Sequence, residues 1–431
     1  MLPELPDYFF LEEPWRALNR GFVLLMTYTR PRRLTIWQSL WRFFSERREW
    51  ATFIGDLLNS NRVPSLAVVG GGVNRAARLW CSSVTTRVWR PTELNAGQLD
   101  DLLERGWFRI GRTLMTCRLV LFDGTLRSAL WTRLPLAGHR FSRSNRKLLS
   151  KARRKYDVRF GPVTLEPQRE ALYQRYRMSA RGERSPTLAD FLYGDAVPVS
   201  LFDTRQIDIY EGDHLVAFSW FDVGHEGAQS LMGVYEPSRR RESLGYTTML
   251  LEIEAAKASG VRWYYPGYVL PGEPAMDYKL RIGAVEFLDP DAQSWRPWER
   301  LDRHELSEQQ LRRRLQEIAG VLEASGVRTR LEVYPMFEAP AWHEQLRGCL
   351  DAPIMLVCHP EALARRQLVV TYDLDGAIYE IRFCSRVSAV AVTAEGDVGR
   401  PLELWMAEDR VASASTVEVV VQRVTELAAR A

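Results

Sequence analysis

Two rhythms of hydrophobic and polar positions meet between residues 230 and 288, in SLMGVYEPSRRRESLGYTTMLLEIEAAKASGVRWYYPGYVLPGEPAMDYKLRIGAVEFL. The pattern predicts a short strand at Ser230–Tyr235, closed by Glu236-Pro237. A basic, glycine-containing loop, Ser238–Gly245, comes next. A helix is predicted over Tyr246–Ser259, where Leu250, Leu251, Ile253, Ala255 and Ala256 give a broad apolar surface. Gly260 stops it, as glycine just past a helix does. A second strand, Val261–Tyr265, is bounded by Pro266-Gly267. Such a strand–loop–helix–strand unit is parallel, and an arginine-rich turn before a helix start offers free N–H groups and charge to an anion.

The same reading extends in both directions. Leu34–Asn59 carries apolar residues three or four apart and predicts a broken amphipathic helix, serving as a lid or as a partner-binding helix. Val63–Val69 reads as a buried strand. The Gly70-Gly71-Gly72 after it lacks a following GK[ST], so a tight turn is expected rather than a phosphate loop. Leu94–Arg105 is a predicted helix with Asn95 as N-cap and Gly106 as stop. Strands are expected at Leu114–Phe122 and Ala129–Leu136, and a helix at Leu165–Gly182. A hairpin turns at Glu211-Gly212-Asp213, and Asp222 closes its second strand. Asp289–Arg303 is polar, with two prolines, and reads as a boundary. Beyond it lie a helix at Ser307–Ser325, strands at Arg330–Tyr334, Ile354–Cys358, Leu368–Leu374 and Ala377–Phe383, and a closing helix at Ser415–Ala429.

These elements give a mixed α/β (α+β) fold in three parts. Residues 1–93 form a largely helical region, 94–290 the central domain, and 300–431 a small C-terminal α+β domain without a catalytic constellation.

Composition narrows the chemistry. The chain has 431 residues, 46% hydrophobic and 26% charged, with a net charge of +4. That is ordinary for a globular protein, and mildly basic. Five cysteines stand far apart and the six histidines show no ligand spacing, so no metal is expected. The apolar run Gly21–Tyr28 is too short to span a bilayer, so a cytoplasmic protein without a membrane partner is expected. The charge is concentrated in Arg140–Tyr156, RFSRSNRKLLSKARRKY, which holds eight lysines and arginines and no acid. Such crowding destabilises a lone helix. It is either a surface for a polyanion such as tRNA or a solvated basic face.

Taken together, the motifs resemble the arginyl-tRNA–protein transferases and their bacterial leucyl relatives. The matching positions are Gly106, Trp107, Arg109 and Gly111; Phe141, Ser142, Arg143, Ser144 and Arg146; then Asp222, Tyr235, Pro237, Ser243, Leu244, Gly245, Tyr265, Gly267, Tyr268, Met276, Tyr278 and Lys279. The resemblance covers about residues 94–290 and implies an acetyltransferase-like (GNAT) core. It implies transfer of an amino acid, of the arginine or leucine class, from aminoacyl-tRNA to the free amine of a protein or peptide. The tRNA is a co-substrate, and no cofactor is implied. The family's N-terminal cysteine cluster is reduced here to Cys81 and Cys117, so its metal centre is not expected.

Arg143, Arg146 and Lys147 are then expected on the tRNA, and Arg241 with Ser243, Leu244 and Gly245 at its terminal adenosine. Tyr265, Gly267 and Met276 would line the substrate site. Tyr278 and Lys279 would orient the ester or the acceptor, unless Tyr278 only packs. Asp222 would bind a cationic aminoacyl group or the incoming ammonium, or merely cap its strand. Two rivals stand beside this reading: a CoA-dependent N-acetyltransferase, ill served by the single glycine of RRRESLG, and a non-catalytic tRNA binder.

Overall fold

The computed structural model describes residues 23–27, 81–82, 85–179, 184–194, 201–343, 346–359, 366–392 and 398–428. The expected helix at Leu34–Asn59 and the glycine turn at 70–72 lie outside them. The chain forms two compact units. One comprises Met1–Asn19, Leu79–Ser385 and Trp405–Ala431; the other comprises Arg20–Arg78 and Arg386–Leu404. All that follows concerns the first.

Its centre is an eight-stranded mixed sheet. The strands in chain order are β1 (Leu130–Pro135), β2 (Asp157–Pro162), β3 (Thr204–Glu211), β4 (His214–Val223), β5 (Gly227–Tyr235), β6 (Trp263–Val269), β7 (Glu286–Asp289) and β8 (Ser294–Pro297). Across the sheet they run β8-β7-β1-β6-β5-β4-β3-β2. Only the central pair β5–β6 is parallel; the other pairings are antiparallel. The sheet is open, and the fold is mixed α/β.

Helices cover both faces: α1 (Ala96–Glu104), α2 (Arg143–Lys155), α3 (Pro167–Ser179), α4 (Leu188–Tyr193) and α5 (Leu244–Ala258), with α6 (Ser307–Ala324) further on. Asn95 caps α1 and forms a reciprocal capping box with Gln98. Within α1, Asp100 accepts the backbone N–H groups of His225, Glu226 and Gly227 and so fixes where β5 begins. The crossover helix α5 buries Leu250, Leu251, Ile253 and Ala256 against the sheet, as an apolar crossover must.

Two readings are corrected. Pro266-Gly267 does not end the second strand. β6 runs through it to Val269, with Gly267 at φ +90° and a register shift against β1. The polar stretch after Asp289 is not a gap between elements either, because Ser294–Pro297 is the edge strand of this sheet. Polar residues suit an edge, which has solvent on one side.

Beyond it, α6 packs Leu311, Leu315, Ile318 and Leu322 inward. Strands Thr329–Val333, Ile354–Cys358 and Arg366–Asp373 pair antiparallel in sequence order, and Arg366–Asp373 pairs in turn with residues 378–385. Leu306 shares a small core with Leu130 and Phe287 of the central sheet. The Glu308 backbone N–H donates to Ser128 Oγ at 3.1 Å, and that hydroxyl donates to the Glu308 carboxylate.

Candidate active site

The parallel pair opens as it runs. β5 and β6 share only three partners, Gly227↔Trp263, Ala228↔Tyr264 and Gln229↔Tyr265, although both continue. Pro266 has no N–H to give and Gly267 turns the backbone to positive φ, so the ladder cannot extend. The strands part, and α5 lies across one face of the opening.

From β5 the chain reaches α5 through a helical turn, Pro237–Glu242, and Ser243, which adopts a left-handed conformation at φ 57°. The first amides of α5 have no acceptor within the helix. Gly245 sits so close to Tyr235 that a Cβ would come within 3.0 Å of the ring. Ser243 and Arg241 are exposed, while Leu244 turns into the core.

Under the opening lies Glu252 of α5, fully buried. Its carboxylate accepts from Tyr264 Oη at 2.6 Å. Burial pushes the carboxyl up to about 7, offset in part by the Tyr264 hydroxyl.

A helical turn, Asp277–Ile282, carries the two residues expected to do chemistry. Tyr278 packs on the core under α5, beside Tyr235 and Tyr246. Burial pushes its phenol up to about 12. The Lys279 ammonium donates to the Tyr268 carbonyl at 2.8 Å and lies 3.4 Å from where a Gly267 Cβ would stand. Burial pulls it down to about 8, and no carboxylate among the described residues pairs with it. Met276 packs with Phe108, Trp131 and Tyr268 in an apolar wall beside it.

The basic helix joins this turn. Asn145, in the stripe that α2 buries with Leu149 and Ala152, donates from Nδ2 to the Arg281 carbonyl at 3.0 Å and accepts from Tyr246 Oη at 3.2 Å. The charge along α2 is sorted. Arg153 pairs with Glu254 at 2.5 Å and Lys155 with Glu242 at 2.7 Å. Arg143, Arg146 and Lys147 are exposed and meet no acid among the described residues; Arg146 donates to its own helix entry, the Phe141 carbonyl. Cations in a first helical turn oppose the helix dipole, so this end is poor for stability and good for an anion.

Two expectations fail on burial. Asp222 binds a cation, but the cation is the chain's own Arg109, 2.7 Å away, with both side chains buried. Thr204 Oγ1 donates to the same carboxylate oxygen at 2.7 Å. Tyr265 faces away from Tyr264, into a core with Leu99, Leu103 and Trp107, and its hydroxyl donates to Glu104 at 3.3 Å. It is wall, not ligand.

With this geometry in view, comparison with known proteins is decisive. Residues 168–289 match the family model for the arginine-tRNA-protein transferase C terminus. The chain is 30% identical over 224 residues to an aspartate/glutamate leucyltransferase of Rhodopseudomonas palustris (strain BisB5), covering 48% of this chain and 81% of that protein. The chain belongs to the aminoacyl-tRNA–protein transferase family. A second aspartate/glutamate leucyltransferase, from Helicobacter hepaticus, is 26% identical over 209 residues, 46% of this chain and 83% of that one. Among solved structures, L-PGS from Bacillus licheniformis is similar over 34% of this chain and 49% of that one, at 11% identity and a TM-score of 0.27, which carries no argument.

This transferase therefore brings together Lys279, Gly267 and Met276, sets Tyr278 on the core under α5, and ties the turn that carries Tyr278 and Lys279 through one amide to the helix of Arg143, Arg146 and Lys147. Sequence reasoning missed Asn145 and Glu252. Asn145 and Glu252 carried a signal: each is a polar residue at a position where helical spacing calls for an apolar one. Among the described residues no helix is long and apolar enough to cross a membrane.

Proposed function

We propose that this aminoacyltransferase moves a leucyl group from tRNA to the α-amine of a protein or peptide that begins with aspartate or glutamate. Aminoacyl-tRNA is the co-substrate and no resident cofactor takes part. The transfer chemistry resides in residues 94–290, on a GNAT-like core, and residues 300–431 steady the acceptor or the tRNA body.

The observation that carries this reading is the amide bridge from Asn145 to Arg281. It sets unpaired cations for an RNA backbone next to the turn bearing Tyr278 and Lys279. The leucyl relatives support the donor. So does the apolar wall near Lys279.

The reaction asks for positioning more than for activation. The ester is already reactive, and an α-amine with a pKa of about 8 is partly neutral at cellular pH. Its nitrogen attacks the ester carbonyl, the ribose oxygen of the tRNA leaves, and the amine's proton passes to that oxygen. Lys279 and Tyr278 stand to hold the oxyanion and the reacting groups, and excluding water there strengthens both interactions. Arg241 and the Ser243–Gly245 turn face the terminal adenosine.

The test is purified protein with each charged tRNA in turn and a peptide panel. Label from leucyl-tRNA in peptides with acidic N-termini is expected. Label only from arginyl-tRNA, or acetyl incorporation from acetyl-CoA, overturns the reading.

A further inference from the structure

Arg184 follows α3 and lies outside every motif discussed so far. Its guanidinium stacks over the Tyr176 ring, 5.2 Å from the centroid. Tyr176 meets Tyr235 edge-on at 5.2 Å, and Tyr235 closes on Gly245 at the α5 entrance. Tyr278 packs on the same core as Tyr235. Among the described residues no carboxylate pairs with Arg184, and none gives its buried Nε a hydrogen-bond acceptor. A buried N–H of a cation left without an acceptor is costly, so such a group waits for one.

The loop just after Arg184 is fixed in advance. Tyr173 Oη donates to the Ser185 carbonyl at 2.6 Å, Gln174 Nε2 to the Pro186 carbonyl at 2.5 Å, and the Leu188 N–H to Glu170 at 2.9 Å. Three consecutive ties from α3 hold the guanidinium's base still, so little entropy is lost when an anion docks. The aromatic frame limits that anion to a small planar one. A guanidinium fork matches a carboxylate with two parallel hydrogen bonds. An RNA phosphate is the poorer fit, because the exposed cations for a backbone lie on α2.

We propose that Arg184 receives the side-chain carboxylate of the acceptor's N-terminal aspartate or glutamate, with Tyr176, Tyr235 and Tyr278 framing it, and so sets which acceptors are used. This assignment rests on the acceptor class proposed above. Arg184 is thus a specificity residue, and it holds the acceptor's amine beside the turn that carries Lys279.

The experiment compares wild type, Arg184→Gln and Arg184→Lys on peptides beginning Asp-Ala or Asn-Ala, with saturating leucyl-tRNA. Wild type prefers the acidic peptide. Arg184→Gln is expected to raise KM for it about 10- to 100-fold and to abolish the preference over Asn-Ala. Arg184→Lys falls between, and the KM for leucyl-tRNA and the melting curve stay unchanged. A retained acidic preference in Arg184→Gln overturns the proposal. So does a loss confined to tRNA binding, which would make Arg184 a phosphate ligand. Calorimetry of the Asp-Ala dipeptide without tRNA separates this from the donor question. Binding that depends on Arg184 supports the site even if leucine is the wrong donor, and binding that is absent, or equal in the variant, sinks it.

Discussion

Two acids of the sheet layer, Asp222 and Glu252, are buried for different reasons and should answer mutation differently. Asp222 is charged and matched by Arg109, with further donation from Thr204. Removing one member of such a pair strands the other, at a cost of about 3–5 kcal/mol. Arg109→Met is expected to lose that much in a denaturant titration. Arg109→Met with Asp222→Leu should recover most of it, since a buried pair adds little net stability over an apolar replacement. Glu252 is the opposite case, a carboxyl held protonated by its surroundings. Its folded pKa of about 7 stands above the value of 4.5 for an unperturbed glutamate, so the fold binds this proton more tightly than the unfolded chain does. Its contribution is complete below pH 4.5 and is lost as pH rises through about 7. Glu252→Gln mimics the protonated form and still accepts from Tyr264. It should flatten that decline, gaining on the order of 3 kcal/mol at pH 8. Unfolding midpoints at pH 5, 6, 7 and 8 check it, and a decline unchanged in the variant counts against this account. Glu252 left a trace in the helical spacing, but the partner of Asp222 was not legible in the sequence. Asp222 is 113 residues from Arg109, and nothing local links them.

At the level of elements, α2 separates binding from stability along its own length. Arg146 and Lys147 meet no acid among the described residues, so Arg146→Glu and Lys147→Glu should leave the melting temperature within a degree or two. They should weaken tRNA binding across sequences and lower its salt slope by about 1 for each phosphate left without its cation. Filter binding at several salt concentrations reads this out, and an unchanged slope would mean that α2 is a solvated face. The elements themselves were largely visible. Asn95 and Gly106 bracketed α1, Gly260 ended α5, and Glu211-Gly212-Asp213 made its hairpin. What escaped were features settled by neighbours. β6 keeps going past Pro266 because β1 pairs with it again at Gly267, a long-range pairing that local propensity does not contain. Ser243 occupies a left-handed position where glycine would be expected, so the turn before α5 read as loop.

Across the whole molecule, the C-terminal segment is part of the central domain's stability. Leu306 completes a core with Leu130 and Phe287, and Glu308 with Ser128 forms a buried polar tie. Arg118 adds ion pairs to Asp291 at 2.5 Å and Asp375 at 2.6 Å. A chain ending at residue 299 should melt well below the full chain and bind a hydrophobic dye, which scanning fluorimetry would detect. Equal melting would show that the segment is dispensable for folding. The sequence showed the strands and helix of this region but not their attachment. Leu306 lies outside the predicted helix, and its partner Leu130 is far away along the chain.

The sorting of charge on α2 also gives direction. Glu242 and Glu254 quench the helix's far end, so the field felt by a polyanion rises steadily toward Arg143. On the proposal that α2 receives the tRNA, a strand of RNA would gain most by sliding toward Arg143, the end that Asn145 ties to the turn carrying Lys279.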